Sequence, residues 1–324
     1  MTNTQRPLIV RTEHLDLLAE YWLADQSDLR VLQPGERKFE EIAGDIEGLV
    51  IRTYTQIDST LLERLPSLKV IGRAGVGVDN IDLHACKNHG VRVVYTPDAN
   101  TQAVVEYVTC LLADSIRPRM QLKNIVSKDE WNSLRQTICG ERQMDELALG
   151  IIGFGRIGRR VAEVAHAIGF RVNYHDILDI PGDERRGAIP LGLEELLNES
   201  DVLTIHIDGR PSNHGFMNAN RLAMMRDNVI LLNTSRGFVI DELALAAWLI
   251  EHREARAILD VHQHEPFGSD DPLLSIENAM LMPHLASRTR TAMSNMSWVV
   301  RDVMRVLEGK EPQHDAVLDL AAQK

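Results

Sequence analysis

The chain is short of cysteine and has no block of basic residues and no long apolar run, and each absence removes a class of function. Its three cysteines, Cys86, Cys110 and Cys139, are odd in number and contain no CxxC pair, which argues against a disulfide framework and for a reducing compartment. No run of about 18 apolar residues occurs, so no transmembrane helix is expected. The opening MTNTQRPLIVRT lacks the apolar core of a signal peptide. Net charge is −12 with no basic cluster, so neither nucleic acid nor an anionic membrane is an expected partner. The expectation is a cytoplasmic protein. What is present is ordinary for a soluble globular chain: 44% hydrophobic and 25% charged residues over 324 positions, enough for two buried cores.

The most informative stretch is Leu147 to Asp176: an apolar run, then Gly153-Phe154-Gly155-Arg156-Ile157-Gly158, a helical pattern, and a second apolar run closed by an acid. This is a βαβ unit with a dinucleotide fingerprint. Gly153 allows the tight turn, Gly155 lets a pyrophosphate approach the backbone, and Gly158 lets the helix pack against the sheet. The helix start supplies free N–H groups and a positive dipole end. Asp176 lies 18 residues past Gly158, near the spacing expected of a carboxylate on the adenosine ribose. It would repel the extra phosphate of NADP, so NAD is the expected cofactor.

Ahead of this unit, strands at Pro7–Val10, Leu29–Leu32, Gly48–Arg52, Leu68–Gly72 and Val91–Tyr95 alternate with helical patterns, which predicts a small parallel sheet. A long helix starts near Thr101 and meets Pro118. Residues 119–146 are polar and weakly periodic, with Trp131 as an isolated anchor. Later strands fall at Asp201–Ile207, Asn228–Thr234, Ala255–Val261 and Ala279–Met282, and a last amphipathic helix at Ala292–Leu307 suits a return to the first domain. The expected fold class is α/β with two doubly wound parallel-sheet domains: a flavodoxin-like substrate domain, residues 1–99 and 291–324, and a Rossmann NAD-binding domain, residues 100–290.

Three of these strand ends carry ionisable residues: Thr234-Ser235-Arg236-Gly237, Asp260-Val261-His262-Gln263-His264-Glu265-Pro266 and Pro283-His284-Leu285. Arg236 offers a planar fork suited to a carboxylate, His284 a group able to exchange a proton near neutrality, and Glu265 an acid able to fix an imidazole tautomer. Singly, they read more readily as a surface ion-pair residue, a structural histidine and a solvated loop acid. Together, beside a nicotinamide, they are what hydride transfer to a 2-oxo acid needs.

The chain resembles the NAD-dependent D-isomer-specific 2-hydroxyacid dehydrogenases, especially the D-3-phosphoglycerate dehydrogenase branch, from about Leu49 to Glu311. The likeness rests on Ile51-Arg52-Thr53, on Gly72 to Asp82 (GRAGVGVDNID), on the fingerprint, and on the three strand-end motifs. It implies Arg236, Glu265 and His284 as catalytic residues, with Arg236 binding the substrate carboxylate, His284 the acid/base and Glu265 its partner. It implies cofactor contacts from Gly153, Gly155, Arg156, Ile157, Gly158, Asp176, His206, Ile207, Thr234, Ser235 and Asp260, the last holding the nicotinamide carboxamide. Arg52, Arg73, Gly75, Val76 and Gly77 join Arg236 as implied substrate contacts, the loop acting as an anion nest. A homodimer is the implied assembly, and a small 2-hydroxy or 2-oxo acid the implied partner.

Some positions depart from the pattern. Asp208 stands where relatives usually carry proline, His262 replaces a common aromatic, and Arg288 stands where a small residue is usual; Arg288 is either a second anion contact or a solvated cation. His262 and His264 share a strand face, but no third ligand is evident and HExxH is absent, so no metal is expected. No regulatory domain is expected after the final helix, hence no control by serine. Two other readings stay open: an NAD(H)-sensing module like the corepressors that resemble this family, and an NADP-preferring glyoxylate or hydroxypyruvate reductase.

Overall fold

The structure, a computed structural model, describes residues 6–321; the first five residues of the opening segment and the end of the tail lie outside them. The chain divides into two compact units, Met1–Asn100 with Ser287–Lys324, and Thr101–Ala286. Ser287–Arg290 thus sit with the first unit.

In the first unit, five parallel strands, β1 (Leu8–Arg11), β2 (Asp28–Val31), β3 (Gly48–Ile51), β4 (Val70–Arg73) and β5 (Arg92–Val94), form a sheet in the order β2-β1-β3-β4-β5. That is the flavodoxin-like order. The all-apolar β3 is buried along its whole length, as a central parallel strand covered on both faces must be. Helices Leu17–Gln26, Ser59–Glu63 and Leu83–Asn88 each start on an aspartate, Asp16, Asp58 and Asp82, whose side chain accepts a first-turn N–H. One face of the sheet packs on Phe39, Ile46, Leu62 and Cys86. The other packs on Leu15, Leu23, Val299 and Val303.

The last amphipathic pattern, expected as one helix over Ala292–Leu307, is two: Arg290–Ser297 and Val300–Leu307. The physical reason lies in Ser297, whose hydroxyl donates back to the Met293 carbonyl at 2.8 Å and accepts the Asp16 N–H at 2.9 Å; such back-bonding loosens a helix. The second piece then lays Val303 against Gly72 of β4, where a Cβ would stand 2.4 Å from its Cγ2.

In the second unit, seven parallel strands, β6 (Ala148–Ile152), β7 (Arg171–His175), β8 (Ile189–Pro190), β9 (Val202–Ile205), β10 (Ile230–Asn233), β11 (Arg256–Leu259) and β12 (Ala279–Leu281), run in the order β12-β11-β10-β9-β6-β7-β8. This is the doubly wound dinucleotide-binding order extended by one strand, with the reversal between β6 and β9. The helix Thr101–Ile116 ends two residues before Pro118, and its Val104, Val105, Val108 and Leu112 share a core with Val161 and Ala165 of the fingerprint helix. Residues 119–146 hold a helix, Lys128–Thr137, with no buried residue, and Trp131, expected as an anchor, is 49% exposed. A tryptophan in a polar segment was the wrong signal of burial, because no apolar stripe accompanies it. Among the described residues no helix is long and apolar enough to cross a membrane.

Candidate active site

Register explains why residues far apart in sequence meet. His175, Ile152, Ile205, Asn233, Leu259 and Leu281 are paired one to the next across β7, β6, β9, β10, β11 and β12. Neighbouring strands lie about 4.8 Å apart. The residues that follow, Asp176, Gly153, His206, Thr234, Asp260 and Met282, therefore form one row at the carboxyl edge of the sheet.

At the fingerprint, Gly153 adopts φ +90 and a Cβ there would stand 2.8 Å from the His206 carbonyl; a Cβ on Gly158 would stand 2.2 Å from the Gly153 oxygen. Both positions are closed to any larger residue. Gly155, in contrast, has open space at its Cβ position and caps the helix Arg156–Ala167 without a side-chain bond, so the helix starts at a turn that leaves room for a phosphate to approach the backbone. Asp176 ties this turn down, accepting the Phe154 N–H at 2.5 Å and the Leu178 N–H at 2.9 Å; each oxygen keeps capacity for a ribose hydroxyl. The Thr234 hydroxyl is buried with no hydrogen-bond partner. An open cradle, a carboxylate at the second strand end and an orphaned hydroxyl on the same edge fit a dinucleotide. His206 meets Thr204 Oγ1 at 3.0 Å through Nε2, and desolvation pushes its imidazole down to about 3, so it is neutral in use. Ile207 packs against the core that holds Ile152, Ile205 and Leu231. Asp208, the residue in place of proline, is clasped by Arg210 at 2.7 and 2.5 Å. Burial alone would raise Asp208, yet Arg210 brings it below the ordinary carboxylate range.

The three expected catalytic residues lie at the ends of β10, β11 and β12. His284 Nδ1 is 2.7 Å from Glu265 Oε2. An ionised carboxylate only accepts, so Nδ1 carries the hydrogen and Nε2 is the nitrogen left to give or take a proton. Burial would raise Glu265, but the His284 bond and the His262 N–H hold it below the usual range. His284 has φ +54, a conformation uncommon for a residue with a Cβ and often associated with functional positions. Asp260 maintains it: fully buried, it accepts the N–H groups of Leu285 and Ala286 at 2.7 Å each. This positioning task was not legible in the sequence, where Asp260 reads only as a cofactor contact. Arg236 sits in a turn organised by Asn233, whose amide donates to the Arg236 carbonyl at 2.9 Å and whose Oδ1 accepts the Ser235 N–H and hydroxyl at 3.0 and 2.7 Å. Gly237 lets this turn lie directly on the next strand end; a Cβ there would fall 1.9 Å from the His262 carbonyl carbon.

The expected substrate contacts in the first unit form their own group. Glu13 gathers the N–H groups of Arg52, Thr53, Tyr54 and Thr55 on its carboxylate. Burial would raise this acid, but the four amides bring it below its ordinary value. Arg52 points its guanidinium at Met293 Sδ, 3.1 Å away, and Arg288 approaches the same sulfur at 4.0 Å. Burial, then the Arg288 charge, lower the Arg52 pKa. Arg73 folds its guanidinium over Gly75, into the space a Cβ there would need. The adjoining Val76 and Gly77 N–H groups take no acceptor among the described residues.

Residues 109–286 match the model of the D-isomer specific 2-hydroxyacid dehydrogenase NAD binding domain. The chain belongs to this family. It is a family of NAD-dependent oxidoreductases, and NAD is the cofactor that the second unit is built to hold. Among relatives, the D-3-phosphoglycerate dehydrogenase of Archaeoglobus fulgidus is 33% identical over 81% of this chain, which spans 50% of that protein's length. The glyoxylate reductase of Aeropyrum pernix is 33% identical over 93% of this chain and 91% of its own. Among solved structures, D-lactate dehydrogenase from Aquifex aeolicus, complexed with NAD and lactic acid, superposes with a TM-score of 0.79 at 25% identity, covering 93% of this chain and 96% of that one.

Proposed function

We propose that this protein interconverts a D-2-hydroxy acid and a 2-oxo acid, and that it does so as a cytoplasmic homodimer. The observation that carries the reading is the His284–Glu265 pair, 2.7 Å apart, on the same sheet edge as the dinucleotide fingerprint. Gly153, Gly155, Gly158, Asp176 and Thr234 would hold NAD(H), which when bound would supply or accept the hydride. Arg236 pairs the substrate carboxylate and fixes the orientation of the carbonyl. His284 delivers a proton from Nε2 to the carbonyl oxygen as it gains charge, or removes it in the oxidative direction, while Glu265 stabilises the protonated ring. Asp260 positions the histidine through the main chain rather than touching its ring.

For the substrate we propose an acid with a second anionic group, 3-phosphoglycerate being the model. The support is the approach of Arg52 and Arg288 to one thioether with no carboxylate hydrogen-bonded to either guanidinium among the described residues. Two cations at close range repel unless an anion joins them. A panel of 2-hydroxy and 2-oxo acids, with and without a second anion and with both nicotinamide cofactors, tests both proposals. Turnover of doubly anionic acids at a KM at least tenfold below that of glyoxylate is expected. Equal KM values would remove the second-anion reading, and no turnover of any 2-oxo acid would remove the enzyme reading. Sedimentation velocity tests the dimer.

A further inference from the structure

In sequence His262 has only His264 beside it on its strand face, and no third metal ligand. The fold supplies two others instead. His262 Nε2 lies 2.8 Å from the Met282 carbonyl oxygen. A carbonyl can only accept, so Nε2 carries the hydrogen and Nδ1 keeps its lone pair. That Nδ1 is buried without any hydrogen-bond partner, in a residue only 5% exposed. Glu242, the buried first residue of the helix Glu242–Glu251, and Asp271, in the loop after Pro266, complete the group: one ligand atom from each of the three lies within 4.8 Å of the other two. Glu242 uses Oε1 for the Gln263 N–H at 2.8 Å, and Asp271 uses Oδ1 for the Leu273 N–H at 2.9 Å. Each keeps a second oxygen. An unpartnered ring nitrogen thus lies in a residue gathered with two carboxylates, and a cation is what such a set lacks.

We propose that His262 Nδ1 and one carboxylate oxygen each from Glu242 and Asp271 bind a divalent first-row transition ion, with water completing its shell. One imidazole with two carboxylates is a nitrogen and oxygen set suited to zinc or its neighbours, whereas magnesium and calcium prefer oxygen alone. Atoms bonded to one ion at about 2 Å stand roughly 3–4 Å from one another, a spacing compatible with the one found here, within 4.8 Å. The Met282 carbonyl already performs the second task of a metal site, fixing the tautomer through the other ring nitrogen. Burial above all, and the nearby Asp271 carboxylate, push Glu242 above the ordinary carboxylate range, as expected of crowded negative charge that a cation would relieve. Because the His262 N–H holds Glu265, the ion would stiffen the segment that orients the acid; it would not touch substrate.

The test uses tag-free, full-length protein freed of metal by chelation. Zinc chloride is added, the protein is passed through gel filtration and its metal content is measured; cobalt(II) is added in parallel to read visible ligand-field bands. One zinc per chain is expected, with a raised Tm and a cobalt spectrum. His262→Phe, which keeps the ring volume, and Asp271→Asn, at a half-buried position, should each weaken zinc about 100-fold or more and abolish the cobalt bands. Circular dichroism identifies which variants are folded. No retained zinc in the parent, a folded variant that keeps the parent's stoichiometry, or an equal rise in Tm with magnesium would each overturn the proposal.

Discussion

Glu265 divides its carboxylate between His284 and the main chain: Oε2 takes the imidazole at 2.7 Å and Oε1 takes the His262 N–H at 3.0 Å. The acid cannot rotate without losing one of the two, so the ring it holds keeps one orientation. His284→Asn should lower kcat by about 10²- to 10⁴-fold with NADH affinity unchanged. Glu265→Gln, which still offers an acceptor to His262, should cost roughly 10- to 100-fold. Steady-state kinetics with fluorescence titration of NADH reads both; an unchanged kcat in His284→Asn removes the imidazole from the chemistry.

Gly237 shapes the turn that carries Arg236, the proposed partner of the substrate carboxylate. Its missing Cβ lets the Arg236 turn rest on the His262 carbonyl. Gly237→Ala forces two backbones apart, and should cost about 1–3 kcal/mol in unfolding free energy while raising KM for the 2-oxo acid. Urea unfolding and initial rates check it, and a variant with parental KM would show that the turn need not be so placed.

Asp176, proposed to set cofactor choice, ties the glycine turn through the Phe154 N–H. Removing hydrogen bonds to a charged group is worth about 1.5–3 kcal/mol. Asp176→Ala should therefore raise KM for NAD roughly tenfold or more and narrow the preference over NADP. A parent enzyme that prefers NADP in kcat/KM contradicts this role.

His206 makes the fold sensitive to acid. Its imidazole is pushed down to about 3 in the folded chain by desolvation, against about 6.5 when unfolded. Below that unfolded value the denatured chain binds a proton that the native one refuses, so stability falls as pH drops through 6.5. The loss is about 2 kcal/mol by pH 5. His206→Gln should remove that share of the difference between denaturation midpoints at pH 8 and pH 5; equal differences in parent and variant would show that the ring accepts its proton in place.

Much of the fold was legible because its signals are local. Glycines at 153, 155 and 158 state their own backbone demands, and the apolar runs ending at Asn233, Leu259 and Leu281 put Arg236, Glu265 and His284 just past strand ends, so only register was needed to align them. Contacts made by tertiary approach were not legible. Nothing near Asp260 in sequence reveals that it would hold the amides of Leu285 and Ala286. Glu242 and Asp271 stand 20 and 9 positions from His262, on either side of it. The break at Trp298 follows from a serine hydroxyl whose second partner, Asp16, lies near the other end of the chain.

Val303 resting on Gly72 has a consequence for how the polypeptide is made. The sheet of the first unit is translated within the opening hundred residues, yet Val299, Val300, Val303 and Met304 cover one of its faces. A nascent chain leaving the ribosome therefore carries that face bare until residues 299–304 have been made. The later-translated Thr101–Ala286 unit has its entire sequence available first, so the order of maturation runs opposite to the order of synthesis.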